Sequence, residues 1–224
     1  MKRQIVERLA RDHLLPHLPG FTVTRGIIHR SPIAGLLRGF LFQSSAFDAN
    51  AAYIWVFVQP LYIPEDAIVL NFGKRLEFGF GRLTFHERWD LNPDSLDSTL
   101  PAMLKSMFRQ GVPFLRKRDS IELFIRNLKY GIRVENTIFD REALVYSLAR
   151  LGRYREAERR LKSLIRSIKP DDLRQDVHGN ANELLTAIQT SPNQAHELLN
   201  RWTEETARNL RLPLQDVESA RKGS

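Results

Sequence analysis

The hydrophobic period of this chain changes twice, and that change limits what it can fold into more than any other feature. Residues 2–15 place Ile5, Val6, Leu9 and Leu14 on one narrow side at helical spacing, and Pro16 with Pro19-Gly20 stops the run. From Phe21 the period becomes that of extended chain. Phe21-Thr22-Val23-Thr24-Arg25-Gly26-Ile27-Ile28-His29 is β-branched and ends at Ser31-Pro32. Leu36 to Phe47 and Tyr53 to Val58 follow, with Asp48-Ala49-Asn50 between them as a hairpin turn. Tyr53, Trp55 and Phe57 fall on one side of the second strand, and Ile54, Val56 and Val58 on the other. A strand apolar on both sides is predicted to be central and covered. Ile68 to Phe72 predicts a further strand, and Glu77 to Trp89 a hairpin around Gly79-Phe80-Gly81.

From Asp94 the helical period returns. Asp94-Ser95-Leu96-Asp97 offers N-caps, Met103, Leu104, Met107 and Phe108 are core candidates, and Gly111 and Pro113 are predicted to break the run. Ile121, Phe124, Ile125 and Leu128 then mark one helix face. One helix, a run of strands and then helices alone give an α+β class: an antiparallel sheet flanked by helices, followed by a C-terminal helical bundle. The predicted division is a sheet domain over 1–134, a helical domain over 135–211 and a polar, disordered tail over 212–224.

Composition removes several chemistries. Of 224 residues, 42% are apolar and 27% charged, a mixture that excludes disorder along the whole length. With no cysteine, disulfides, thiolate nucleophiles, iron–sulfur clusters and Cys-based zinc sites are excluded. The longest apolar run, Ala51 to Val58, is far short of the ~20 residues that span a bilayer. Glu7, Arg8, Arg11 and Asp12 interrupt any secretory apolar segment. The expectation is a soluble, cytoplasmic protein with no membrane partner.

No motif assigns a catalytic residue, a metal or a cofactor. His13 and His17 have the i,i+4 spacing of a ligand pair, but Pro16 lies between them. His86-Glu87 and His196-Glu197 lack the second histidine of a zincin helix. Neither a Gly-x-Ser-x-Gly elbow nor a phosphate-binding loop is present. Gly79-Phe80-Gly81 reads as a hairpin or bulge, and Asp171 and Asp172 read as helix caps. An enzyme would need a site assembled in space from residues such as Asp48, Glu65, Glu77, His86, Glu87 and Asp90.

Charge is unevenly spread along the chain. The net charge is +8. Residues 1–134 hold 19 Lys/Arg against 12 Asp/Glu, and residues 135–224 hold 15 against 14. Arg150 to Lys169 alone holds eight basic residues, with Glu156 and Glu158 as the only acids. Such a run is either a surface for nucleic acid or an acidic partner, or a solvated helix face tied by pairs such as Glu156–Arg160 and Glu158–Lys162. The nucleic-acid alternative rests on Arg116, Lys117, Arg118, Arg159, Arg160 and Lys162.

Residues 143–170, which include that run, form an αα-hairpin. Leu144, Leu148 and Leu151 share one face, Gly152 allows the turn, and Ala157, Leu161, Leu164, Ile165 and Ile168 share a second face up to Pro170. Leu151-Gly152, Tyr154, Glu156-Ala157, Leu161 and Pro170 resemble one tetratricopeptide repeat over 143–170. That family stacks repeats into solenoids whose inner groove binds peptides; with one unit present, the hairpin is expected to be a helical docking element, with Tyr154, Arg155 and Arg159 facing a partner. Arg38, Gly39, Phe40 and Phe42 partly resemble the first ribonucleoprotein motif of RNA-recognition domains. Phe40 and Phe42 would then stack bases on a sheet face, or else lie buried beneath helices, the reading preferred here. Leu18-Pro19-Gly20-Phe21, Arg38 to Ser45 and Pro60-Leu61-Tyr62 resemble small uncharacterised bacterial α+β domains of immunity or accessory type. The expected function is therefore a non-catalytic protein-interaction protein, an accessory, adaptor or immunity-like protein of bacterial type. A nucleic-acid-binding accessory protein is the alternative.

Overall fold

The structure, a computed structural model, describes residues 3–46, 48, 50–77, 88–130, 137–168 and 175–218. The chain divides into two compact units. A sheet unit holds residues 1–59 and 69–117, and a helical unit holds 60–68 and 118–218. These boundaries differ from the predicted 134/135 division, because residues 118–134 and the short 60–68 segment belong with the helices.

The sheet unit opens with α1 (Arg3–Leu9), which runs on through a π-helical turn, Ala10–Leu14, and a 3₁₀ turn, Leu15–His17. Strands β1 (Phe21–Thr24), β2 (Ile27–Arg30), β3 (Leu36–Ser44), β4 (Ala51–Pro60) and β5 (Gly73–Arg75) pair in that order, and β6 (Trp89–Asp90) pairs with β4. The sheet is antiparallel. As predicted, β4 is central, and Ile54, Val56 and Val58 are fully buried. Asp48 builds the turn before β4: its carbonyl accepts from Ala51 N at 3.2 Å and its carboxylate from Asn50 N at 2.9 Å. The strand predicted at Ile68–Phe72 is instead a loop. Val69 N donates to the Gln59 side chain (3.2 Å) and Val58 N to Phe72 O (3.2 Å), so this backbone is satisfied before β5 begins. The hairpin predicted around Gly79-Phe80-Gly81 lies outside the described residues.

Helices α2 (Pro93–Ser106) and α3 (Val112–Arg116) are joined by a π-helical turn, Met107–Gly111. The N-cap of α2 is Asn92, earlier than predicted, with Pro93 filling the first turn. Gly111 and Pro113 do not break the run. Pro113 falls in the first turn of α3, where its missing N–H goes unneeded, and Gly111 lets the Phe40 ring pack against the backbone.

The helical unit contains α4 (Ile121–Tyr130), α5 (Ile138–Arg150), α6 (Tyr154–Ser167), α7 (Gln175–Thr190), α8 (Pro192–Asn209) and α9 (Leu214–Glu218). Eight successive residues of α5, Glu142 to Ala149, are buried, which makes α5 the central helix of this unit. Gly152, at φ +71°, turns the chain from α5 into α6, with Gly152 N bonded to Ala149 O and Arg153 N to Leu148 O, a Schellman closure. Helix α9 occupies part of the tail predicted to be disordered, because Leu212 and Val217 are buried.

The segment 60–68 is held among these helices by side chains. Tyr62 Oη and Ser147 Oγ share a 2.7 Å hydrogen bond. Thr206 Oγ1 donates to Ile63 O (3.1 Å) and accepts from Glu65 N (3.3 Å), and Asn209 Nδ2 reaches Glu65 O and Asp66. No helix of the described residues is long and apolar enough to cross a membrane.

Candidate functional site

Helix α6 sorts its residues by face. Ala157, Leu161 and Leu164 are buried, while Arg155, Arg159, Lys162 and Arg166 are exposed. Those four cations sit at i, i+4, i+7 and i+11, so they line one outer stripe about 16 Å long. The two predicted i,i+4 pairs are present. Arg160 Nε lies 3.5 Å from Glu156, and Lys162 Nζ lies 2.8 Å from Glu158. Glu156 also pairs with Arg153, and Glu158 accepts from Gln189 Nε2 of α7 at 3.0 Å. The acids of α6 are thus half-buried and engaged, and the outward stripe is cationic.

The other singled-out residues are placed as follows. Tyr154 is half-buried at the start of α6, and its hydroxyl donates to Pro192 O at 3.2 Å. It therefore ties α6 to the start of α8. Arg116 and Lys117 are exposed at the end of α3 in the sheet unit. Arg118 begins the helical unit and is half-buried, which lowers its pKa. The structure brings Tyr154, Arg155, Arg159, Arg160 and Lys162 together on one helix, whereas the Arg116-Lys117-Arg118 run straddles the boundary between units. Among the described residues, no group of three or more His, Asp or Glu side chains could hold a metal ion. Of the acids considered for an assembled site, Glu65 is in the helical unit and Asp48, Glu77 and Asp90 are in the sheet unit; His86 and Glu87 lie outside the described residues.

The helical unit also encloses a polar group that sequence reading missed. Glu142 is buried on α5, and burial together with the charges of Glu65 and Asp176 pushes its carboxyl up to about 8. One turn later, Tyr146 stacks on Trp202 with ring centroids 5.6 Å apart. Its hydroxyl is pushed up by burial and by the Glu142 charge. Glu142 occupies a helical position among apolar neighbours, so no motif marks it. A shallow groove of about 520 Å³ lies between α7 and α8, with Ala187 and Leu198 as its apolar floor and Glu183, Glu197 and Arg201 at its edge.

In the sheet unit, Phe40 is fully buried and Phe42 nearly so, with Phe40 packed 5.9 Å from the Phe21 ring. The ribonucleoprotein-like pair therefore faces the core. The opposite face carries a second pair of aromatic residues. Tyr53 and Trp55 are half-buried there, and the Arg75 guanidinium lies over both rings, 4.3 Å from the Tyr53 centroid and 5.1 Å from that of Trp55. Gln43 bridges the group, accepting from Trp55 Nε1 at 2.8 Å and from Arg75 Nη2 at 3.5 Å. The shared side of Tyr53 and Trp55 was legible from strand alternation. Arg75 was not, because it joins them through β4–β5 pairing, in which it stands opposite Trp55.

Comparison with protein-family models, characterised proteins and solved structures finds nothing that matches this chain.

Proposed function

We propose that the protein is a non-catalytic interaction protein of accessory or adaptor type, and that its helical unit docks an acidic protein partner along α6. The carrying observation is the exposed stripe Arg155, Arg159 and Arg166, with Lys162 between them paired to Glu158 and Glu156 engaged by Arg153 and Arg160. The charge of the unit supports a localised contact rather than general polyanion binding. Residues 60–68 and 118–218 hold 17 Lys/Arg against 18 Asp/Glu, so this stripe is a local positive patch on a nearly neutral unit.

The test places a photo-crosslinking amino acid at position 159 and irradiates the full-length protein in an extract of its source cells. The reading expects a discrete protein adduct. That adduct should disappear in the R155E/R166E background and weaken in 0.5 M salt, because a rim of exposed charges acts through screened attraction. Absence of any adduct, or an adduct indifferent to the charge reversal, overturns the reading.

A further inference from the structure

The sheet unit differs from the helical unit in charge: residues 1–59 and 69–117 hold 15 Lys/Arg against 8 Asp/Glu. On one face of its sheet, two aromatic rings and an arginine form a group at one end of β3, β4 and β5. Tyr53 and Trp55 are two residues apart on β4, so their side chains emerge on the same face about 6.6 Å from one another. Further along that face Phe57 and Gln59 are fully buried, while Tyr53, Trp55 and Arg75 are half-buried and Gln43 is exposed.

Arg75 makes this corner more than an exposed aromatic pair. Its guanidinium is held by two ring faces and one amide oxygen, and among the described residues no carboxylate neutralises it. Its Nε is enclosed against the rings with no hydrogen-bond acceptor among the described residues. A strand arginine at the surface ordinarily gains from an anion, and here the cation is held over two rings with no carboxylate partner among the described residues. The next residue back, Lys74, is exposed but stands opposite Val56, so strand alternation places it on the other face of the sheet.

A flat guanidinium layered on aromatic rings presents a further planar surface for stacking, with N–H groups at its rim for an anion. Unpaired nucleotides supply both parts, a π-face and a phosphate. A duplex hides its base faces and cannot use the platform. We infer that the Tyr53–Trp55–Arg75–Gln43 corner binds single-stranded nucleic acid, with one or two bases stacked on the Arg75-capped rings and a phosphate held by Arg75. This contact belongs to the sheet unit and does not depend on α6 or its partner.

The experiment is fluorescence anisotropy of the full-length protein with labelled 12-nucleotide poly-dT and poly-rU strands at 50 and 200 mM salt, alongside a duplex of equal length. Binding should favour the single strands and weaken with salt. W55A and R75Q should each lose about 5- to 150-fold, the range for removing one stacked base, and W55F should stay within about threefold of the wild type. Because W55A removes a half-buried ring, a second measurement uses only the wild-type chain: irradiation with 5-iodouridine-substituted strands should place the crosslink on the peptide containing Tyr53 and Trp55. Any of four results overturns the inference: no binding at 50 mM salt, equal affinity for duplex, a crosslink elsewhere, or competition by poly-glutamate as effective as by the oligonucleotide, which would identify an acidic peptide site.

Discussion

Gly111 lies directly against the Phe40 ring: a Cβ at Gly111 would stand 2.3 Å from Phe40 Cε1 and 2.8 Å from Cζ. Phe40 is fully buried in β3, and Gly111 closes the π-helical turn before α3. The close approach of helix backbone to sheet core is what requires glycine here, since its φ of −73° suits any residue. G111A should destabilise the protein by about 1–3 kcal/mol through overpacking. Urea unfolding followed by circular dichroism checks it, and a pair with F40L should recover part of the loss.

Glu142 makes stability depend on pH. Its native carboxyl is raised to about 8, while the unfolded chain titrates near the usual 4.5. Between those values the native state holds the proton and the unfolded state has released it. Stability is therefore greatest below the unfolded value and falls as pH rises through 8. E142Q should abolish this fall. At pH 9 the variant should be the more stable of the two by a few kcal/mol, at roughly 1.4 kcal/mol per unit of raised pKa. At pH 5 the two proteins should agree closely. Chemical denaturation at both pH values measures the difference.

Tyr62 and Ser147 share a buried hydrogen bond between residues 85 positions apart. Y62F leaves the Ser147 hydroxyl enclosed without that partner and should cost about 1–3 kcal/mol. S147A should cost a similar amount. The double variant should cost less than the sum, since the pair then loses both polar groups together. Urea midpoints of the four proteins in the cycle decide the matter.

Ser191 caps α8, accepting from Gln194 N at 3.2 Å in front of Pro192. S191A should lower stability by about 1 kcal/mol. The start of α8 also receives the Tyr154 hydroxyl at Pro192 O, so hydrogen exchange in the first turn of α8 should rise in S191A and rise again when Y154F is added.

Much of the architecture was legible because it rests on periodicity. The alternation of Tyr53 to Val58 foretold a central strand, and the i, i+3, i+4, i+7 spacing from Ile121 foretold α4. Two features escaped for stated reasons. Gly111 and Pro113 look like breakers in isolation, yet a π-turn and a first-turn proline accommodate both. Ile68 to Phe72 has strand composition, yet side-chain and backbone bonds to β4 satisfy it as a loop. The α6 pairs were readable from i,i+4 spacing, as was the shared side of Tyr53 and Trp55. Arg75 and Glu142 were not, since strand pairing and helix packing give them their surroundings from distant parts of the chain.

The placement of residues 60–68 in the helical unit has a consequence for how the chain is made. A ribosome delivers Tyr62 well before Ser147, and Ile63 earlier still relative to Thr206, 143 residues later. At 5–20 residues per second, Tyr62 waits roughly 4–17 s for its partner to be synthesised. During that interval Leu61, Tyr62 and Ile63, all buried in the finished protein, have no helices to cover them. The chain therefore cannot be divided into a leading piece and a trailing piece that each fold whole. A fragment beginning at Arg118 lacks the looped insert, residues 60–68, that its own helices hold.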